Sequence, residues 1–116
     1  MEFDNNIPIY IQVIQDIKKG IVKGTLSLGD KLPSARELAL LYKINPNTAS
    51  RIYKELEATN ICYTKRGLGT YVTENKEIIQ NIKEEMAKSL LDNFILGMKD
   101  LKYTKEELID LITNNY

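Results

Sequence analysis

Asn47, Ser50, Arg51 and Lys54 stand at i, i+3, i+4 and i+7, so a helix carrying them aligns an amide, a hydroxyl, a guanidinium and an ammonium along one stripe. No carboxylate interrupts the series. Donors and cations in such a row suit the acceptor-rich edges of bases and the oxygens of phosphates. A second group lies at Lys65-Arg66-Gly67-Leu68-Gly69, where two cations adjoin two glycines and the backbone is free to approach a ligand closely. A third is Ser34 with Arg36. Taken singly, each has a plainer reading: Ser34 and Asn45 as helix caps, Arg36 as a solvated arginine, Lys65 and Arg66 as guards of a strand edge. The tyrosines read as packing groups rather than stacking platforms, and Cys62 as a small hydrophobe.

The remaining inventory narrows the chemistry. The chain has no histidine and one cysteine, which removes histidine-based acid–base catalysis, histidine metal sites and any disulfide framework. The acids are scattered over helix surfaces. Gly67 and Gly69 do not lead from a strand into a helix, as a nucleotide-binding loop requires. We therefore expect no enzyme, no cofactor and no metal.

The elements that must position these groups are legible in order. A helix is expected from Pro8 as its first residue, with Tyr10, Val13, Ile14, Ile17 and Ile21 at helical spacing and a stop at Gly24. Leu28 to Pro33 reads as a turn-rich connector. Ser34 and Glu37 form a capping box for a short second helix whose apolar side is Leu38, Ala39, Leu41 and Tyr42. Lys43-Ile44 leads to Asn45-Pro46, a cap and a first-turn proline, opening a third helix over about 46–59. Its inner face is Ala49, Ile52, Tyr53 and Leu56, opposite the polar stripe. The β-branched and aromatic runs 61–64 and 70–73 flank the glycine tip as a hairpin. A long helix follows over about 77–97, with Ile78, Ile82, Met86, Leu90 and Phe94 at i+4 steps. A last one, capped by Thr104 and Glu107, holds Leu108, Ile109, Leu111 and Ile112.

Two short helices joined by about three residues and followed by a hairpin make an α+β fold, a winged helix-turn-helix with a short two-helix tail. We place the first part at 1–75 and the tail at 76–116. Charge follows the same division. Residues 31–73 hold seven basic side chains against three acids, and residues 76–116 six lysines against eight acids, within a chain of zero formal net charge. No apolar run approaches a membrane span and the N-terminal residues do not resemble a secretory signal, so the expected location is the cytoplasm.

Several motifs together carry a family resemblance. Leu32-Pro33-Ser34-Ala35-Arg36-Glu37-Leu38-Ala39, Asn45-Pro46-Asn47-Thr48, Arg51-Ile52-Tyr53-Lys54-Glu55-Leu56-Glu57 and Arg66-Gly67-Leu68-Gly69-Thr70-Tyr71-Val72 resemble the GntR family of bacterial regulators. The Asn-Pro-Asn-Thr start, the Tyr-Lys-Glu-Leu-Glu run and the short tail resemble its YtrA-like subfamily. The resemblance implies that Arg36 reads a base or contacts phosphate, that Ser34 and Thr48 hold phosphates, that Asn47, Ser50 and Arg51 present the recognition face, and that Arg66, Gly67 and Gly69 form the wing. Two positions depart from the family pattern: Ser50 stands where a basic residue is common, and Asn60 where glycine usually follows the recognition helix, a place asparagine also fills.

The stripe Ile78, Ile82, Met86, Leu90 and Phe94 either packs on the winged domain or pairs two copies. The resemblance supports pairing, and hence a homodimeric repressor on an inverted-repeat operator, of a neighbouring transporter operon by analogy. A tail of this length is too short for a large ligand-binding domain, so an effector pocket would lie between helices or at the dimer interface. The rival reading is a winged-helix adaptor that docks proteins without touching DNA; exposed apolar residues on the third helix would favour it.

Overall fold

A computed structural model describes residues 1–116 and contains five helices and one hairpin: α1 (Ile9–Lys23), α2 (Ala35–Tyr42), α3 (Pro46–Ala58), β1 (Cys62–Lys65), β2 (Gly69–Val72), α4 (Lys76–Asp100) and α5 (Lys105–Asn115). The chain forms two compact units, Met1–Ile82 and Lys83–Tyr116. The division therefore falls inside α4, beyond the 75/76 boundary expected between the hairpin and the long helix. No helix is long and apolar enough to cross a membrane.

Local chemistry accounts for each helix end. Pro8 is the cap of α1 rather than its first residue, because its ψ of 136° is extended while its carbonyl already accepts from Ile11 and Gln12. Gly24 closes α1 with φ 84°. The Ser34 hydroxyl accepts from the Glu37 N–H at 3.1 Å, and the Glu37 carboxylate accepts from the Ser34 N–H at 3.0 Å. That reciprocal pair satisfies two otherwise unpaired donors. Asn45 accepts from the Asn47 N–H at 2.8 Å, with Pro46 in the first turn. Thr104 and Glu107 repeat the capping box at α5.

Three helices are followed, at the cap or within two residues of the last helical one, by a non-glycine residue in the left-handed region: Lys43 at φ 55°, Asn60 at φ 60° and Lys102 at φ 68°. In each case the next N–H reaches back to a carbonyl five residues earlier: Ile44 to Ala39, Ile61 to Leu56 and Tyr103 to Met98. Residues with a Cβ adopt this conformation at a cost of about 1–2 kcal/mol, offset here by the carbonyls it satisfies. The turn between α2 and α3 is built this way.

The core of the first unit joins α1, α2, α3 and the hairpin. Val13, Ile14, Ile17 and Ile21 of α1, Leu38 and Ala39 of α2, and Ala49, Ile52, Tyr53 and Leu56 of α3 are buried, with Leu32, Ile61, Cys62, Val72 and Ile82 completing it. α3 touches α1, α2 and β1 and is the hub that fixes the polar stripe. Cutting fully buried Ile52 or Leu56 to alanine costs about 2–5 kcal/mol. Leu41, expected on the apolar side of α2, is exposed. It lies three residues from Leu38, on the flank of the face set by Leu38, Ala39 and Tyr42.

In the hairpin Cys62 pairs with Val72, Tyr63 with Tyr71, Thr64 with Thr70 and Lys65 with Gly69. Residues 29–32 add to its outer edge: the Leu32 N–H donates to Thr70 O at 2.7 Å, the Val72 N–H donates to Asp30 O, and Lys31 bridges Tyr71.

The i+4 series on α4 is not one face. At 3.6 residues per turn each step advances the side chain by about 40°, so the series winds roughly 160° round the helix from Ile78 to Phe94. Ile82 is buried, Ile78 and Met86 are half-buried, and Leu90 and Phe94 are exposed. Within Lys83–Tyr116 no side chain is buried.

Candidate nucleic-acid interface

The stripe stands on α3 as a solvent face. Asn47, Ser50, Arg51 and Lys54 are exposed above the buried Ala49, Ile52, Tyr53 and Leu56, and Thr48 is half-buried at the helix start. The hub position of α3 leaves that outer face as its free side. Tyr53 locks the helix to the entrance of α2 by donating its hydroxyl proton to the Pro33 carbonyl. Burial first, then the neighbouring Cys62 and Glu37, hold the Tyr53 phenol well above its ordinary range. Cys62 packs beneath with its thiol pushed up to about 12 by burial and by Glu57, an inert group rather than a nucleophile.

Arg51 departs from the simple stripe. Its guanidinium carbon lies 3.7 Å from the centroid of the Tyr10 ring, and its Nε is 3.3 Å from Glu55 Oε1. The recognition arginine is therefore engaged within the protein by α1 and by the next turn of its own helix. Spacing alone hid this, because Glu55 reaches into the face from the side and Tyr10 comes from another element. Arg36, Lys54 and Arg66 are exposed and form no ion pair.

Ser34 and Arg36 sit at the start of α2. The Glu37 carboxyl is held below its ordinary range, chiefly by the hydrogen bond from the Ser34 N–H, then by the Ser34 hydroxyl and by Lys31. The acid that neighbours Arg36 in sequence is thus turned back onto the helix end.

At the hairpin tip the Leu68 N–H donates to Lys65 O at 2.9 Å, and Gly67 takes φ 79° at the third position of this turn, the type II pattern that favours glycine. A Cβ on Gly67 would meet nothing within 4 Å, so its need for glycine is conformational. Arg66 and Leu68 project beside it. Lys65 instead folds back over the hairpin, its Nζ 4.8 Å from the Tyr71 centroid and 5.7 Å from that of Tyr63, and the two rings stack at 5.8 Å. Lys31 has no local motif to mark it in the sequence. The structure brings it against Gly69, a contact set by the pairing of 29–32 with β2 and invisible in local spacing.

The arrangement offers donors and cations on α3, at the start of α2 and on a hairpin. No group of three or more His, Cys, Asp or Glu lies close enough together to hold a metal. A helix of this size fits the DNA major groove, and a hairpin beside it reaches the backbone or the minor groove.

Comparison with known proteins agrees. Residues 9–72 match the model of the bacterial regulatory proteins, gntR family. The chain is 43% identical over 101 residues to the HTH-type transcriptional repressor YtrA of Bacillus subtilis, covering 82% of this chain and 78% of that one. It superposes on a GntR family transcriptional regulator from Listeria monocytogenes with a TM-score of 0.90 at 45% identity, covering 98% of this chain and 100% of that one. The DNA-binding domain of AraR in complex with operator ORX1 superposes at a TM-score of 0.55 and 27% identity, over 58% of this chain and 81% of that one. The chain belongs to the gntR family of bacterial regulatory proteins and is a winged-helix, DNA-binding transcriptional regulator.

Proposed function

We propose that the protein is a homodimeric repressor that binds an inverted-repeat operator, acts in the cytoplasm, and controls a transporter operon. The observation that carries the DNA-reading part is the exposed row Asn47, Ser50, Arg51 and Lys54 on α3, mounted on an immobile inner face. In this reading Asn47, Ser50, Arg51 and Lys54 enter the major groove. Arg36 contacts a base or phosphate beside them, Ser34 and Thr48 hold phosphates, and Lys65, Arg66, Gly67 and Gly69 form the wing against the backbone.

Pairing rests on the second unit. Leu90, Leu91, Phe94, Leu96, Ile109 and Ile112 are all exposed there, and apolar surface of that kind is covered in a stable assembly. The tail expected over 76–116 then divides in use. Ile78, Ile82 and the start of α4 belong to the DNA-binding unit, while Met86, Leu90 and Phe94 belong to the pairing region. Two copies about a two-fold axis set their recognition helices on half-sites about one DNA turn apart. The transporter operon is carried only by analogy with the YtrA-like subfamily that the motifs resemble.

Footprinting of the purified protein on DNA upstream of its own gene, with sedimentation of the free protein, tests this. A protected inverted repeat and a dimer are expected. A monomer, or protection without two-fold symmetry, would overturn the homodimer.

A further inference from the structure

One face of the hairpin gathers more positive charge than the fold has use for. The register places Tyr63, Lys65, Gly69 and Tyr71 on that face, since Tyr63 pairs with Tyr71 and Lys65 with Gly69. Lys31 crosses it from the neighbouring segment. A Cβ built on Gly69 would lie 2.8 Å from Lys31 Cε and 3.6 Å from its Nζ, so glycine at 69 clears the path of the lysine stem. Lys65 lies over the tyrosine rings on the same face. Both lysines are exposed, and neither forms an ion pair.

We infer that Lys31 and Lys65 together form a two-ammonium seat for one backbone phosphate of bound DNA, on the tyrosine face of the wing. The inference rests on the DNA-binding reading above and adds Lys31 to it. Two cations gathered on one face repel each other in the free protein, and a phosphate between them reverses the sign of that interaction; the Glu74 carboxylate lies at Gly29 in the same segment and forms no ion pair with either lysine. Glu37, the acid that feels Lys31, is committed to the capping box through its hydrogen bonds with Ser34. The tyrosine rings fix Lys65 by cation–π contact, and Gly69 with the 29–32 pairing fixes Lys31, so neither long side chain must be ordered anew on binding. A phosphate contact of this kind carries affinity without sequence information.

The test uses the full chain and a duplex containing its footprinted site, with binding measured across a salt series. Lys31→Met keeps the stem against Gly69 and removes the charge. Combined with Lys65→Met it should make the slope of log K against log salt shallower by about 0.9, or roughly 8-fold weaker binding at 0.1 M salt if the lines converge at 1 M, because the pair neutralises one phosphate, and alone it should weaken binding by less. An unrelated duplex should show the same change. Lys31→Arg should restore the slope. Lys65→Met should act like Lys31→Met. Steep salt dependence in the wild type, with a slope in the double variant no shallower than in Lys65→Met alone, would overturn the inference while leaving DNA binding intact. Wild-type binding indifferent to salt would overturn the DNA-binding reading itself.

Discussion

Freeing Arg51 should tighten DNA binding. In the free protein its guanidinium rests on the Tyr10 ring at 3.7 Å and its Nε faces Glu55 at 3.3 Å. The side chains of Arg51 and Glu55 are 57% and 44% exposed, so surface magnitudes apply: about 0.5–1 kcal/mol for the cation–π contact and about 0.3–0.5 kcal/mol for the i,i+4 pair. An arginine that must turn to a base edge gives up roughly 0.8–1.5 kcal/mol from these two sources. Tyr10→Leu removes the first, keeping an apolar side chain on α1, and Glu55→Gln removes the second together with an acid at the margin of the interface. The double variant should bind the operator about 4- to 12-fold more tightly, since 1.4 kcal/mol is tenfold. Fluorescence anisotropy at fixed salt reads this directly. Adding Arg51→Ala should abolish the gain from Tyr10→Leu, because nothing remains to be freed, and leave only what removal of the Glu55 charge contributes. A gain from Tyr10→Leu that survives Arg51→Ala, or weaker binding in Tyr10→Leu, would show that the stack does not restrain the arginine.

Three further outcomes follow from the folded state. Ser34→Ala removes the hydroxyl that accepts from the Glu37 N–H, while the backbone N–H at 34 still donates to Glu37, and should cost about 1 kcal/mol, lowering the melting temperature by several degrees, whereas Ser34→Gly should cost only a few tenths; calorimetry separates them. Lys43→Gly relieves a Cβ at φ 55° and should raise stability by about 1 kcal/mol in urea titration, leaving the helix-turn-helix intact by circular dichroism. Alkali should destabilise the fold. Cys62 is pushed up to about 12 and Tyr42 and Tyr53 above their ordinary values, by burial first in each case. These groups ionise earlier in the unfolded chain, so the stability they confer is complete below about pH 9 and declines above it, by up to about 1.4 kcal/mol per pH unit for each group in its window. Cys62→Ala should delay that decline, and an unchanged alkaline limb would contradict the burial assignment.

Much of this molecule is written in short-range chemistry. The starts of α2, α3 and α5 follow from Ser34 with Glu37, Asn45 with Pro46, and Thr104 with Glu107, because a cap and its partner lie within one helical turn. The inner face of α3 follows from its period, and the hairpin from its β-branched flanks and Gly67. The illegible parts depend on elements meeting. Tyr10 reaches Arg51, and Lys31 reaches Gly69, only once α1 and segment 29–32 have docked. The i+4 series on α4 reads as one stripe in the sequence, but its angular drift of about 40° per step carries it from buried Ile82 to exposed Leu90. Left-handed Lys43 and Lys102 carry no compositional mark, since lysine is an ordinary surface residue.

The central claim, that α3 and the wing read an operator, is tested most directly by binding of the purified protein to its footprinted site and to a scrambled duplex across a salt series, with Arg36→Ala beside the wild type. The account predicts affinity that falls steeply with salt on both duplexes. It also predicts a preference for the operator, and a loss of about 1–3 kcal/mol on the operator in Arg36→Ala. Binding that is indifferent to salt, to sequence and to Arg36 would contradict it.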